Sequence, residues 1–179
     1  MAITRIGGAN AISGAITSSN LPTGSVLQVQ SFNYGARTVV TSTVITATPL
    51  TVSITPSSTS SKILVMASLL GSSGSGTYSF HWQIRRGSST VIAPNTSQSL
   101  TGYREGFMLY QNNDNNVTRT NSFTVLDEPN TTAATSYTVY VQSQLNSTSA
   151  VINGSFSDNA NQAYSHRESS TITAVEIQG

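Results

Sequence analysis

The chain of 179 residues contains no cysteine and few charged side chains. Without cysteine there is no disulfide, no thiol nucleophile and no thiolate zinc site, and two histidines offer little for another transition metal. Charged residues make up 8% of the chain, with eight Lys and Arg against seven Asp and Glu. Nucleic acid is therefore not an expected partner, because binding to polyphosphate needs a strongly basic surface.

Long apolar runs are also missing. No window approaches the 18 or so consecutive apolar residues of a membrane-spanning helix, so we expect no membrane partner. The first residues hold one Arg, several Gly and Ser and isolated Ile residues, which is unlike the continuous apolar segment of a signal peptide. We therefore expect synthesis in a cytoplasm.

Hydroxyl, amide and β-branched residues fill the chain instead. Ser, Thr, Asn and Gln are abundant, Val, Ile and Thr recur throughout, and the helix formers Lys and Glu are scarce. This composition favours strands over helices. The first prediction is an all-β protein.

Short apolar runs separated by turn signals begin at residue 25. Phe80, Trp82 and Ile84 alternate with polar residues, which is the two-residue period of a half-buried strand. The segment 62–70 is apolar at both alternate positions, so we predict a core strand buried on both faces. Eight to ten such runs at a spacing of about ten residues predict an antiparallel jelly-roll sandwich over residues 25–179.

Residues 1–24 differ from the rest of the chain. Gly7, Gly8 and Gly14 oppose a helix, since each costs about 1 kcal/mol relative to Ala within a helix. We interpret this segment as an extended N-terminal arm, and a floppy tail is the alternative. The isoleucines of the arm are the candidate partner-binding anchors: Ile3, Ile6, Ile12 and Ile16.

Residues able to carry out catalysis are sparse. His81 and His166 lie far apart in the sequence without clustered carboxylates, so no metal site is predicted. Asp127 and Glu128 are neighbours at a predicted strand end, where their side chains should point apart rather than form a catalytic pair. The chain has no Gly-x-Ser-x-Gly elbow and no Gly-rich phosphate loop. We therefore expect no enzyme activity, no catalytic residues and no cofactor.

Two further patterns have ordinary explanations. Five Asn-x-Ser/Thr triplets begin at Asn95, Asn116, Asn130, Asn146 and Asn153, and a chain so rich in these residues contains several by chance. Aromatic residues could form a platform for sugars or could pack in the core and between subunits, and the sequence leaves both uses open. The residues concerned are Tyr78, Trp82, Tyr103, Tyr110, Tyr140 and Tyr164.

The segments MAITRIGGANAISGAI and LPTGSVLQVQ resemble the N-termini of short virion proteins of marine and cyanobacterial tailed phages. The segments TVSITPSSTSSKILVMASLLGSS and STITAVEIQG are similar to those of phage jelly rolls of the tumour-necrosis-factor-like type. This resemblance covers most of the chain, although its motifs are of low complexity. It implies a homotrimer of jelly rolls held to the particle by N-terminal arms, and it transfers no catalytic or binding residue.

Two functions within this class remain open. The first is a capsid-decorating or cement protein whose arms hold neighbouring subunits of the major capsid protein at the virion surface. The second is a tail fibre or receptor-binding knob that binds host glycan. We favour decoration because the chain has no heptad, collagen-like or β-helical shaft to give a fibre its reach. A free lectin-like module is the alternative outside the class.

Overall fold

A computed structural model describes residues 21–73, 79–93, 106–110, 117–143, 150–158 and 165–179. The predicted arm, with Ile3, Ile6, Ile12 and Ile16, lies outside these residues apart from its last four positions. The described residues form eleven strands and no helix: β1 (Val26–Tyr34), β2 (Thr38–Val40), β3 (Thr46–Ile54), β4 (Lys62–Ser73), β5 (Ser79–Arg86), β6 (Thr90–Ala93), β7 (Phe107–Tyr110), β8 (Arg119–Asp127), β9 (Thr135–Ser143), β10 (Ala150–Ile152) and β11 (Ser170–Ile177).

Two antiparallel sheets pack face to face as a jelly roll. Sheet A has the order β1-β11-β4-β8, and β10 with β2 continues it beside the second half of β4. Sheet B has the order β3-β9-β5, with β6 and β7 sharing the far side of β5. The chain alternates between the sheets from β3 to β5 and again from β8 to β10, as expected of jelly-roll connectivity. The predicted all-β sandwich is confirmed.

The core consists of the alternate residues that each strand turns toward the other sheet. Sheet A supplies Ile63, Val65, Ala67, Leu69, Ile172 and Ala174, and sheet B supplies Leu50, Val52, Ile54, Phe80, Trp82, Ile84, Tyr137, Val139 and Val141. Trp82 is buried against Phe107, with ring centroids 4.8 Å apart. The period-two interpretation of the segment around Trp82 is therefore confirmed.

The prediction that the segment 62–70 is buried on both faces is wrong. Ile63, Val65, Ala67 and Leu69 are buried in the core, whereas the alternate residues lie on the outer face of sheet A. There Leu64 is partly exposed and Met66 is 37% exposed. The second apolar face is thus left uncovered by the described part of the chain.

A clamp at Asp127 joins the two sheets at one end. Arg86 Nη1 donates to both Asp127 carboxylate oxygens at 3.0 and 2.9 Å, and the Tyr137 hydroxyl donates to Oδ2 at 2.7 Å. Burial, reinforced by the hydrogen bond to Asp127, raises the pKa of Tyr137 far above its usual value. Glu128 instead pairs with Lys62 at 2.8 Å, so the two adjacent carboxylates turn to different partners, as predicted.

We call this end of the sandwich the base. The segment that leads into β1 and the residues that follow β11 meet there. Gly24 N donates to Gln178 O at 2.8 Å, and Gln178 N donates to Ser25 O at 2.9 Å. The turns 55–61, 87–89 and 128–134 also lie at the base, while β4, β7 and β9 end at the opposite pole. Residues that precede Gly24 therefore enter the domain at the base.

A buried carboxylate fastens the strands at the base. Glu176 is 0% exposed and accepts hydrogen bonds from Gln28 Nε2, Ser57 N, Ser57 Oγ and Ser61 Oγ at 2.6 to 2.7 Å. Burial works to raise the pKa of Glu176, but these hydrogen bonds outweigh it and hold the pKa below its usual value of 4.5. The network ties β1 and the 55–61 turn to β11.

Acid should weaken the domain through Glu176. Because its folded pKa lies below the unfolded value, its stabilising contribution is complete well above pH 4.5 and is lost as the pH falls through the folded pKa. The variant E176Q should lose about 2 kcal/mol at pH 7, since its amide would oppose the Gln28 amide, which also donates to Thr55 O at 2.7 Å. Urea unfolding between pH 3 and pH 7 measures both effects.

The matched control is E128Q, which removes the exposed ion pair with Lys62. Exposed ion pairs contribute little, so E128Q should unfold close to the wild type at pH 7. Equal stability of E176Q and E128Q at pH 7 would contradict the importance of the buried network.

Candidate functional site

The outer face of sheet A is the most distinctive surface of the described residues. Four aliphatic side chains stand directly opposite one another across four strands near the base: Val29, Val175, Leu64 and Leu126. We call this set the aliphatic row. At strand spacings of about 4.8 Å it spans about 14 Å. Val29 is 55% exposed and Leu126 is 49% exposed, so the row is open at both ends.

More apolar side chains surround the aliphatic row on the same face. Val26 and Ile177 are paired neighbours on the base side of the row, and Val26 is 57% exposed. Met66 lies on the opposite side of the row. Half of the large exposed apolar residues of the described chain therefore share this face: Val26, Val29, Met66 and Leu126. A contiguous apolar patch on a soluble domain indicates an interaction surface.

Hydroxyl groups cover the rest of this face. Beyond the aliphatic row lie two cross-strand rows, Ser31–Thr173–Met66–Thr124 and Asn33–Thr171–Ser68–Ser122. Ser31 Oγ and Thr173 Oγ1 are 2.9 Å apart, and Ser122 Oγ donates to Ser68 Oγ at 3.2 Å. These rows line a shallow groove of about 250 Å³. Many of the hydroxyls thus already have partners, which lowers the cost of removing them from water.

Charge is nearly absent from this face. Among the residues that the structure describes, its charged side chains are Lys62 and Glu128, which pair with each other at the base edge. Depletion of charge at the centre is the feature that most distinguishes a protein–protein interface from ordinary surface. The face therefore fits contact with another protein better than contact with an ionic ligand.

The outer face of sheet B has a different character. The Arg85 guanidinium lies 4.6 Å from the centre of the Tyr140 ring, and Arg85 Nε donates to Gln83 Oε1 at 3.0 Å. His81 and Gln142 lie on the same face and are paired across the strands. This surface is polar and mixed, with no aliphatic row in the described part of the chain.

The positions of the aromatic residues weaken the hypothesis of a sugar platform. Trp82 is 1% exposed in the core, and one face of the Tyr140 ring is covered by Arg85. Tyr78, Tyr103 and Tyr164 lie outside the described residues, and for Tyr110 only the backbone is described. Two of the six candidates are thus engaged in contacts within the domain.

No metal centre or membrane helix is found in the described ranges. No group of three or more His, Cys, Asp or Glu side chains comes together there. No helix in this part of the chain has the length and apolar character needed to cross a membrane.

The predicted site residues and the observed surface lie in different parts of the chain. Ile3, Ile6, Ile12 and Ile16 stay predictions, because they precede the first described residue. The aliphatic row was not predicted as a site. Its signal is the segment 62–70, whose apolar residues at both alternate positions predict a strand buried on both faces and also more apolar surface than one small sandwich can hide.

Comparison with protein-family models and with curated proteins returned no match for this chain. The assignment of function therefore depends on the residues of the chain itself.

Proposed function

We propose that this protein is a virion structural protein, a homotrimer that decorates the phage capsid and is attached through its N-terminal arm. The observation that carries self-association is the outer face of sheet A, which has few charges and carries the aliphatic row. The resemblance of the N-terminal segment to short phage virion proteins supports its place on the particle. The function would be mechanical, because the decorating subunits would clamp the major capsid protein.

Packing around a threefold axis would bury the exposed ends of the aliphatic row, Val29 and Leu126, in each subunit, whereas Val175 is already buried in the single chain. Each fully buried Val or Leu side chain contributes about 1.5 to 3 kcal/mol, and the symmetry repeats that contribution three times. The neighbouring hydroxyl rows can enter such an interface because bound hydroxyls are cheaper to desolvate. A surface with so few charges also gives little like-charge repulsion between identical copies.

The position of the domain entry favours attachment by arms. Residues before Gly24 enter at the base, close to Val26 and Ile177 at the border of the apolar patch. Three subunits packed by this face would carry their arms at the same end of the assembly. Three arms acting together bind more firmly than one, because the second and third contacts become intramolecular.

The alternative is a tail fibre or receptor-binding knob that binds host glycan. The burial of Trp82 and the covered ring of Tyr140 make the described surface a poor sugar platform. Decoration is the better supported of the two functions.

Removing residues 1–20 should leave a folded, soluble domain that no longer joins the particle. The reason is that the core and both sheets lie within residues 25–179, while the proposed anchors lie in the deleted segment. Occupancy on purified particles, measured by quantitative mass spectrometry, tests this expectation. Circular dichroism of the truncated protein checks that the strands remain.

The matched control keeps the full length and replaces Ile3, Ile6, Ile12 and Ile16 with Ser. If the truncated protein and the serine variant both fail to attach, the four isoleucines are responsible for attachment. Normal occupancy of the truncated protein would refute attachment through the arm and would transfer attachment to the domain itself.

A further inference from the structure

A second site lies at the base, beside the point where the chain enters the domain. A cavity of about 230 Å³ opens there, several times the ~30 Å³ that one water occupies in the liquid. Its walls come from the 55–61 turn, from β1 and from the C-terminal residues: Leu27, Ser57, Ser58, Ser60, Ser61, Gln178 and Gly179. No residue of the aliphatic row lines this cavity.

The carboxylate of Glu176 lies behind the serine wall of this cavity. It is fully buried, and none of the ion pairs between described residues includes it. Its hydrogen-bond partners are the neutral donors of Gln28, Ser57 and Ser61. A buried carboxylate without a cation leaves negative potential around it, because the low-dielectric interior screens it weakly.

This carboxylate also sets the direction of the hydroxyl groups in front of it. Ser57 Oγ and Ser61 Oγ each donate their single hydrogen to Glu176 Oε1 at 2.7 Å. A hydroxyl whose hydrogen is already donated can only accept a hydrogen bond from a further partner. Both serines belong to the cavity wall, so they present acceptor oxygen to whatever enters.

A third acceptor is present in the same wall. Gln178 Oε1 is buried and has no hydrogen-bond partner among the residues that the structure describes. An unsatisfied buried carbonyl is destabilising, so a small shift of the Gln178 side chain toward a donor in the cavity would be favourable. Ser57, Ser61 and Gln178 thus line one space of suitable size, with the Glu176 carboxylate behind it.

We propose that this cavity binds a cationic side chain, a guanidinium or an ammonium group. Such a group carries several N–H donors and a positive charge, and it has no acceptor that would clash with the oxygens of the wall.

Two sources can provide this group. The first is Arg5, the one charged residue among the first 36. The 18 residues between Arg5 and Gly24 can extend about 60 Å, so the arm of the same chain or of a neighbouring copy can reach the cavity. The second source is a Lys or Arg of another virion subunit.

Titration with methylguanidinium tests the site, and methylurea is the neutral control of nearly the same shape. Backbone amide NMR shifts of Ser57 and Gln178 report on the cavity. Methylguanidinium should produce saturable shifts with a millimolar Kd in the wild type or in R5Q, whereas methylurea should not. Equal responses to the two compounds, or no response to methylguanidinium in either protein, would overturn the proposal.

Variants assign the binding to the cavity and identify the natural source. E176Q should weaken binding at least about tenfold, and Q178L should do the same without touching the buried network. The control Q30L alters an exposed glutamine of β1 outside the cavity and should bind like its parent. Binding unchanged in Q178L would contradict the site even if E176Q failed to fold.

The comparison of wild type with R5Q separates the two sources. Methylguanidinium binding that is at least about tenfold tighter in R5Q would show that Arg5 occupies the cavity in the wild type. Equal binding would leave the cavity free for another subunit. Both outcomes support a cation site, and neither depends on whether the arm holds the protein to a particle.

Discussion

Replacing Asn153 with Ala should reduce the free energy of unfolding by about 3 to 5 kcal/mol. Asn153 is 0% exposed, and its Nδ2 donates to Tyr34 O at 2.6 Å and to Ala36 O at 3.1 Å. Its Oδ1 accepts from Ser170 Oγ at 2.6 Å. The side chain therefore joins the β1–β2 turn to β11, and alanine would leave the Tyr34 and Ala36 carbonyls and the Ser170 hydroxyl without these partners.

The backbone adds to this cost because Asn153 has φ of 61°, a left-handed conformation that Asn tolerates better than Ala. The variant N153G separates the two effects, since glycine relieves the backbone and still removes the amide. It should fall between the wild type and N153A in urea unfolding.

Asn130 is the matched control. It also has a left-handed φ, of 53°, but it is exposed and its Nδ2 makes one hydrogen bond, to Glu128 O at 3.0 Å. N130A should cost about 1 kcal/mol, chiefly from the backbone. Equal losses for N153A and N130A would show that the buried network contributes little.

Placing lysine at both ends of the aliphatic row should convert the proposed trimer into single chains. In the double variant V29K/L126K each subunit would carry two charges into the proposed interface, and a buried unpaired charge costs several kcal/mol. Association should weaken by more than about a hundredfold. Val29 and Leu126 are half exposed in the single chain, so the domain itself should remain folded.

The control for this variant is V44K. Val44 is 71% exposed and lies between β2 and β3, away from the aliphatic row. Light scattering at micromolar concentration should give V44K the mass of the wild type and V29K/L126K the 18.8 kDa of one chain. An unchanged mass for the double variant would refute the outer face of sheet A as the assembly surface.

The two-residue alternation was sufficient to predict the sandwich but not the bounds of every strand. The run of apolar and β-branched residues after Pro49 predicts a strand over 50–55, yet β3 runs from Thr46 to Ile54 through this proline. Pro49 is tolerated because β3 lies at the edge of sheet B, where its register shifts between Ala47 and Thr51. Such a bulge depends on pairing with β9, which local sequence does not reveal.

The candidate site was harder to predict for a different reason. Periodicity shows that Leu64 and Met66 form an apolar face, but it does not show what covers that face. Val29, Val175 and Leu126 join Leu64 only through the register of four strands distant in sequence. The serine cavity likewise depends on β11, whose Glu176 meets Ser57 across 119 positions.

Cryo-electron microscopy of purified particles that carry this protein tests the central claim most directly. We expect density for three copies around a threefold axis on the capsid, with the outer faces of sheet A toward one another and the base toward the shell. Single copies with Val29 and Leu126 open to solvent, or absence of the protein from the particles, would contradict the account.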